Sequence, residues 1–179
     1  MSEIRNPKIE TEEVTRRARR IKLLLMDCDG VLTDGRIWLT PDGDEQKGFH
    51  ARDGQGIKLL HAAGIGTGVI SGRTSNMLAR RARDLEMTFV RQGVHDKLTV
   101  LNETLKAASI TEDECAYIGD DLPDVGVMQR VGLACAVADA AAEVKQAAHY
   151  VTRAAGGFGA VREVADLILK ATREKSAYD

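Results

Sequence analysis

The stretch IKLLLMDCDGVLTDGR, residues 21 to 36, joins a run of apolar side chains directly to three aspartates. The apolar run has no polar alternation, which is typical of a parallel strand covered on both faces. Asp27 and Asp29 follow it at a spacing of two, so their side chains point to the same side of the chain. Two carboxylates held this close resist ionisation unless a cation lies between them. Asp-Gly is also a common turn sequence, so this stretch alone leaves a solvated turn and a cation site equally open.

The composition is that of an ordinary globular protein. The chain has 179 residues, of which 44% are hydrophobic and 29% are charged, and this length fits a single domain. A net charge of −2 gives no electrostatic reason to expect a nucleic acid or a membrane as partner. The sequence has no apolar run of the ~20 residues that a membrane span needs, and its first ten residues lack the apolar centre of a signal peptide. We therefore expect a cytoplasmic protein.

From residue 21 onward, strand-like and helix-like segments alternate. This alternation predicts an α/β fold, a doubly wound, mostly parallel Rossmann-like sheet with helices on both faces. Residues 21–179 are predicted to form one domain, in which Asp53 caps the second helix. Residues 1–20 are predicted to be an N-terminal tail or helix, and four arginines beside three glutamates favour a solvated surface there.

One segment, about residues 35–50, interrupts the alternation. Two strand-like halves, residues 36–40 and 45–50, flank the sequence PDGD, which is typical of a β-hairpin turn. The halves carry the large apolar residues Trp38, Leu39 and Phe49. Because apolar faces on a surface hairpin usually contact another surface, we expect this insertion to contact a sister subunit.

Polar residues follow several of the predicted strands at the point where each strand ends. In chain order they are Asp27 and Asp29; Ser71, Gly72 and Arg73; Lys97; and Asp120, Asp121 and Asp124. Ligands of open parallel sheets bind beyond the carboxyl ends of the strands, so these residues are expected to converge. A cluster of carboxylates is costly without a metal ion, and hard oxygen ligands select Mg²⁺.

The motifs DxDGVLTDG, Ser-Gly-Arg, a lysine and GDDxxD, in that order, resemble those of the haloacid dehalogenase superfamily of phosphotransferases. The resemblance covers roughly residues 21 to 170. The segments RDGQGIKLL, YIGDDLPD and HYVTRAAGGFGAVREVADLIL are similar to one group of its members. These are phosphatases of sugar acid phosphates, with 3-deoxy-D-manno-octulosonate 8-phosphate (KDO 8-phosphate) or a sialic-acid-type nonulosonate 9-phosphate as substrate. KDO is a precursor of lipopolysaccharide.

The resemblance implies a role for each residue of the cluster. Asp27 is implied as the nucleophile that becomes an aspartyl-phosphate, and Asp29 as the general acid and base. Ser71, the N–H of Gly72 and Lys97 are implied to bind the phosphoryl oxygens. The implied Mg²⁺ ligands are the carboxylates of Asp27 and Asp120 and the backbone carbonyl of Asp29. Asp121 and Asp124 are implied to hold Lys97 or metal-bound water in place.

The spacing of these motifs leaves no room for a cap domain at the two points where the superfamily inserts one. The resemblance is therefore to the capless branch, in which four subunits associate through their hairpins and a neighbour completes each pocket. Arg52 and Arg73 are candidates for binding the carboxylate of a sugar acid, although ion pairs with nearby aspartates explain them equally well. The family often has a basic residue where this chain has Phe158.

Two other functions fit parts of the pattern. A response-regulator receiver also places acidic residues, a hydroxyl and a lysine around Mg²⁺, but its phosphoacceptor lies alone on a middle strand. Here the DxD pair is on the first strand and GDDxxD comes late, so the order excludes a receiver. A catalytically silent domain that serves only for oligomerisation is disfavoured because Asp27, Asp29, Ser71, Lys97 and Asp120 are all present.

Overall fold

Six parallel strands form the central sheet of the protein, whose structure, a computed structural model, describes residues 7–41 and 45–176. The strands of the chain are β1 (Leu23–Met26), β2 (Trp38–Leu39), β3 (Glu45–Gln46), β4 (Gly66–Ile70), β5 (Phe89–Arg91), β6 (Cys115–Gly119), β7 (Leu133–Ala136) and β8 (Tyr150–Val151). The sheet has the order β5-β4-β1-β6-β7-β8, and β2 and β3 form a separate two-stranded ribbon. All four residues of β1 are buried, as expected for the central strand of a sheet covered on both faces.

The helices pack against the sheet in two groups. They are α1 (Pro7–Ala18), α2 (Ala51–Ala62), α3 (Asn76–Asp84), α4 (Lys97–Ala108), α5 (Val125–Met128), α6 (Ala142–Ala147) and α7 (Ala160–Ser176). Helix α7 packs against α1 and α2, and α5 packs against α4 and α6. The chain winds outward from β1 to β5 and then back across the sheet to β8, so right-handed crossovers place the two groups on opposite faces. The predicted doubly wound α/β fold is confirmed.

The N-terminal helix has an exposed charged side, as its sequence predicts, and a buried apolar side. Val14 and Ala18 on α1 are buried in the same core as the sheet. Arg17 donates a hydrogen bond to the carbonyl oxygen of Gly132 at 2.7 Å, which ties the helix to the start of β7. Arg16, Arg19 and Arg20 are exposed, as their charges predict, but the sequence reasoning missed the narrow apolar stripe on the other side of the helix. None of the helices in the described residues is both long and apolar enough to cross a bilayer.

The hairpin is shorter than the sequence predicts, and its apolar residues face different ways. Trp38 pairs with Gln46 across the ribbon, and residues 42–44 of the predicted turn lie outside the described residues. Trp38 is 59% exposed and Leu39 is 72% exposed. Phe49 instead packs against the core of its own domain, with the guanidinium of Arg81 5.8 Å from its ring centroid. The grouping of Phe49 with the outward-facing residues was therefore wrong.

Asp53 has a different partner from the one predicted. The residue that caps α2 is His50, whose ring nitrogen accepts a hydrogen bond from the N–H of Arg52. Asp53 lies in the first turn and is buried, and its Oδ1 accepts from the N–H of Arg162 at 2.8 Å. Asp53 thus caps the start of α7 instead of its own helix, and it joins α2 to α7.

Candidate active site

The carboxyl ends of three adjacent strands bring most of the predicted site residues to one edge of the sheet. β1 lies between β4 and β6. Asp27 follows β1, Ser71 follows β4 and Asp120 follows β6, while Lys97 begins α4 and reaches back to Asp27. The winding of the chain changes direction at this point of the sheet. Ligands of open α/β sheets bind at such a position.

A buried ion pair between Asp27 and Lys97 lies at the centre of this edge. Nζ of Lys97 is 2.6 Å from Oδ1 of Asp27. Burial raises the pKa of Asp27 to about 6, although the ammonium of Lys97 opposes that shift. Burial also disfavours the charged form of Lys97, but the carboxylates of Asp27 and Asp124 outweigh it and raise the pKa of Lys97 above its usual value. The ammonium therefore stays charged beside Asp27, where it can neutralise an incoming anion.

Asp124 holds Lys97 and the loop after β6 in place. Its Oδ1 accepts hydrogen bonds from Nζ of Lys97 at 2.7 Å and from the hydroxyl of Tyr117 at 2.6 Å. Its Oδ2 accepts from the backbone N–H groups of Asp120 and Asp121, at 3.0 Å and 3.3 Å. Both oxygens of Asp124 thus accept hydrogen bonds, and Asp124 fixes the positions of Lys97 and of the loop after β6.

Asp120 has an unsatisfied oxygen that fits a divalent cation. Its Oδ1 is buried and has no hydrogen-bond partner among the described residues. Carboxylate oxygens of Asp27, Asp120 and Asp124 lie within 4.8 Å of one another. Burial, and then the charges of Asp27 and Asp124, raise the pKa of Asp120 to about 7. Because Asp124 already uses both oxygens, Asp27 and Asp120 are the two side chains of this group best suited to hold a metal ion.

Gly30 lets the loop after β1 approach Asp120 closely. Its φ is +91°, and a β-carbon at this position would lie 2.0 Å from Oδ2 of Asp120. Gly156 packs against the other side of the same loop, where a β-carbon would lie 1.7 Å from the carbonyl oxygen of Gly30. A side chain at either glycine would therefore displace the loop that carries the DxD pair.

Ser71 and Gly72 lie beside this pair at the end of β4. Ser71 is buried, and its Oγ accepts a hydrogen bond from the N–H of Arg73 at 3.3 Å. Its carbonyl oxygen accepts from the N–H of Val94, which joins the loop after β4 to the loop after β5. Gly72 is exposed at the turn between them. Ser71 therefore lies at the carboxyl end of β4, next to the end of β1 that Asp27 follows.

Three residues singled out in the sequence are exposed. Asp121 is exposed, and its Oδ1 accepts from the N–H of Leu122 at 2.8 Å, so it caps the turn after β6 and does not contact Lys97. Arg52 is exposed at the start of α2. Phe158, in the glycine-rich segment before α7, is also exposed.

Two charged residues of the hairpin that the sequence reasoning missed enter the site. Nζ of Lys47 contacts Oδ1 of Asp29 and lies 2.9 Å from Oε1 of Glu45. Burial alone would lower the pKa of Lys47, but hydrogen bonds to Asp29 and Glu45 raise it. Nη2 of Arg73 lies 3.1 Å from Oε1 of Glu45, and its Nε lies 3.7 Å from Oδ2 of Asp29. The spacing of two between Glu45 and Lys47 was the available signal, since residues at this spacing share one face of a strand.

Comparison with known proteins places these residues in a family. The sequence model of the haloacid dehalogenase-like hydrolase family matches residues 85–163. The 3-deoxy-D-manno-octulosonate 8-phosphate phosphatase KdsC of Yersinia pestis is 48% identical over 160 residues, which cover 89% of this chain and 86% of that protein.

Solved structures of such phosphatases superpose over almost the whole chain. One is the enzyme of Moraxella catarrhalis in complex with a magnesium ion, a phosphate ion and KDO. It has a TM-score of 0.89 and 41% identity, and the match covers 93% of this chain and 96% of that one. Another is the cobalt-bound enzyme of Haemophilus influenzae, with a TM-score of 0.86 and 42% identity over 91% of this chain and 95% of that one. The chain therefore belongs to the haloacid dehalogenase-like hydrolases, within the family of KDO 8-phosphate phosphatases.

Proposed function

We propose that this protein is a Mg²⁺-dependent, cytoplasmic phosphatase that hydrolyses KDO 8-phosphate to KDO and phosphate through an aspartyl-phosphate at Asp27. The observation that carries the proposal is the buried Asp27–Lys97 pair beside the unsatisfied oxygen of Asp120. This arrangement offers a nucleophile, a cation for the phosphoryl group and a metal site at one strand edge. The cytoplasmic placement is supported by Cys28, Cys115 and Cys135, which are all unpaired and buried.

The reaction proceeds in two steps on the side chains of this chain. A carboxylate oxygen of Asp27 attacks phosphorus, the bond from phosphorus to the sugar oxygen breaks, and Asp29 gives a proton to that oxygen. Asp29 then takes a proton from water, which attacks phosphorus and releases Asp27. Ser71 Oγ and the N–H of Gly72 donate hydrogen bonds to the phosphoryl oxygens, and Lys97 offsets their charge.

A divalent cation would be held by the carboxylates of Asp27 and Asp120 and by the backbone carbonyl of Asp29. When bound, Mg²⁺ neutralises charge on the phosphoryl group and between the carboxylates. Asp124 keeps Lys97 and the Asp120 backbone in position during both steps.

The stability of the metal-free protein should depend on pH through Asp120. The pKa of this residue is raised from 3.8 to about 7 in the folded state, so between these values the folded protein holds a proton that the unfolded chain has lost. Stability therefore falls as the pH rises through this window, and a cation that binds the ionised carboxylates restores it. We expect Mg²⁺ to raise the Tm more at about pH 8 than at about pH 5 in a thermal melt.

Asp120→Asn should remove most of the rise in Tm that Mg²⁺ causes, and it should raise the Tm of the metal-free protein. Asp113→Asn, at an exposed carboxylate paired with Arg20, is the matched control and should keep the wild-type response. An unchanged Mg²⁺ effect in Asp120→Asn would show that the cation binds elsewhere.

The choice of KDO 8-phosphate is supported by the relatives that carry this name and by the position of Arg73. With the phosphate against Asp27, the acid end of an eight-carbon sugar would project outward, and Arg73, which is half-exposed beside Glu45, is the proposed contact for it. A carboxylate–arginine contact is worth ~1.5–3 kcal/mol, or about ten- to a hundredfold in selectivity. We expect kcat/KM for KDO 8-phosphate to exceed that for glucose 6-phosphate by at least this margin.

Arg73→Ala, and Arg52→Ala to a smaller extent, should narrow the margin. Arg130, which pairs with Glu112 at the opposite edge of the sheet, provides the control Arg130→Ala. Equal rates on both sugars would leave an unspecific phosphatase, and a preference for a nonulosonate 9-phosphate would keep the mechanism with a different substrate. A protein that hydrolyses no phosphate ester would be the silent oligomerisation domain.

The hairpin is proposed as the contact of a homotetramer that closes the open site of a capless enzyme. The exposed Trp38 and Leu39 support this, whereas Phe49 has its contacts within the domain. Trp38→Asp with Leu39→Asp should shift the protein from tetramer towards monomer in sedimentation velocity, because a buried charge opposes association. Phe49→Ala is the comparison, since it should lower the Tm without dissociating the subunits. A wild-type monomer at micromolar concentration would contradict the proposal.

A further inference from the structure

The second strand of the hairpin places two opposite charges in the site. Glu45 and Lys47 lie on one side of the ribbon, and Gln46 between them is exposed. The side chain of Lys47 is only 1% exposed, which is unusual for a lysine on a two-stranded ribbon at the surface. A buried ammonium is costly unless carboxylates surround it, so its burial points to a specific set of partners.

These partners form a four-membered network around Asp29. Lys47 binds Oδ1 of Asp29 and Oε1 of Glu45, while Arg73 approaches Oδ2 of Asp29 and the same oxygen of Glu45. Two basic and two acidic side chains therefore alternate around the network. Both oxygens of Asp29 are engaged from different elements, the hairpin and the loop after β4, so the carboxylate cannot rotate without breaking a contact.

Each of the two lysines of the site contacts one aspartate of the DxD pair. Lys97 binds Oδ1 of Asp27, and Lys47 binds Oδ1 of Asp29. Lys97 also donates a hydrogen bond to Asp124, and Lys47 also pairs with Glu45. The same arrangement, a lysine held by a second carboxylate, thus orients each member of the DxD pair.

We propose that Lys47 is a positioning residue that aims the Asp29 carboxyl group at the leaving oxygen, with Glu45 anchoring Lys47. This inference rests on the proposed function, because it assigns Lys47 a part in the proton transfer by Asp29. Asp29 gives a proton to the sugar oxygen as the bond to phosphorus breaks and takes one back from water in the second step, and Lys47 keeps its own protons throughout. The hairpin then contributes to catalysis within its own subunit, apart from any contact with a neighbour.

The test compares Lys47→Met with Gln46→Met, a control on the exposed side of the same strand. A misplaced acid group costs up to ~10²-fold in rate. We expect kcat on KDO 8-phosphate to fall ~10- to 100-fold in Lys47→Met with KM changed less than about threefold. In single-turnover measurements of the first step, the loss on p-nitrophenyl phosphate should be at least about tenfold smaller, because its leaving group needs little protonation. Gln46→Met should match the wild type on both substrates.

A double-mutant cycle separates positioning from a merely structural role. In the Asp29→Asn background, Lys47→Met should lower kcat less than about twofold, since its effect acts through Asp29. Losses that multiply, or equal losses on both substrates in single-turnover measurements of the first step, would overturn the inference. Lys47→Gln serves as the second variant if Lys47→Met does not fold. If the wild type is active on both substrates and Lys47→Met has the same rates, the positioning role alone is refuted. If the wild type is inactive on both substrates, the phosphatase activity is refuted and the positioning role with it.

Discussion

Replacing Asp27 with asparagine should lower phosphate release by at least ~10⁴-fold, because it removes the nucleophile and one metal ligand together. An amide of the same shape cannot form the acyl-phosphate bond. The fold should persist, since Lys97 keeps its contact with Asp124 at 2.7 Å and the substitution also removes a carboxylate that burial destabilises. This combination of a lost reaction and a retained fold distinguishes a catalytic carboxylate from a structural one.

The measurement is phosphate release with Mg²⁺ present, together with a thermal melt of each variant. Asp113→Asn is the matched control, because this exposed aspartate contacts Arg20 far from the strand edge, and it should retain full activity. Activity of Asp27→Asn within about tenfold of the wild type would exclude a covalent route through Asp27.

Asp29→Asn should lose ~10²–10⁴-fold in kcat on KDO 8-phosphate, the range typical of a general acid. The leaving group is an alkoxide, which needs a proton as its bond to phosphorus breaks. An amide cannot supply that proton. With p-nitrophenyl phosphate the first step should lose much less, since nitrophenolate departs without protonation.

Rates on the two substrates, measured at saturating concentration, give the comparison for Asp29→Asn. A burst of nitrophenolate followed by slow turnover is expected, because Asp29 also activates water in the second step. Equal losses on both substrates without a burst would assign Asp29 only to metal binding or to local structure.

Much of the fold and the location of the site follow from local sequence patterns. The unbroken apolar run of residues 23 to 26 predicts a central strand, and β1 is buried along its whole length. The residues after each predicted strand meet because parallel strands share one carboxyl edge. Asp27, Ser71 and Asp120, which follow β1, β4 and β6, lie along one edge of the sheet for this reason.

The contacts that the sequence does not predict are those between elements distant in the chain. Asp53 carries the sequence signal of a cap for its own helix, but tertiary packing brings its carboxylate to the N–H of Arg162. Phe49 is apolar on a hairpin, and only the folded structure shows that Arg81 and the core cover it. A lysine at the edge of a short hairpin is expected to be solvated. The side chain of Lys47 is buried only because Asp29 and Glu45 both contact its ammonium group.

The central claim, turnover of KDO 8-phosphate through Asp27, is tested most directly by trapping the phosphoenzyme. Wild-type protein with Mg²⁺ and KDO 8-phosphate is quenched in acid within the first turnover, digested, and its peptides are weighed by mass spectrometry. The account predicts one added phosphoryl group on the peptide that contains Asp27, and no such peptide in Asp27→Asn or with the metal chelated. Phosphate released from KDO 8-phosphate without this species, or a phosphoryl group on another residue, would contradict the account.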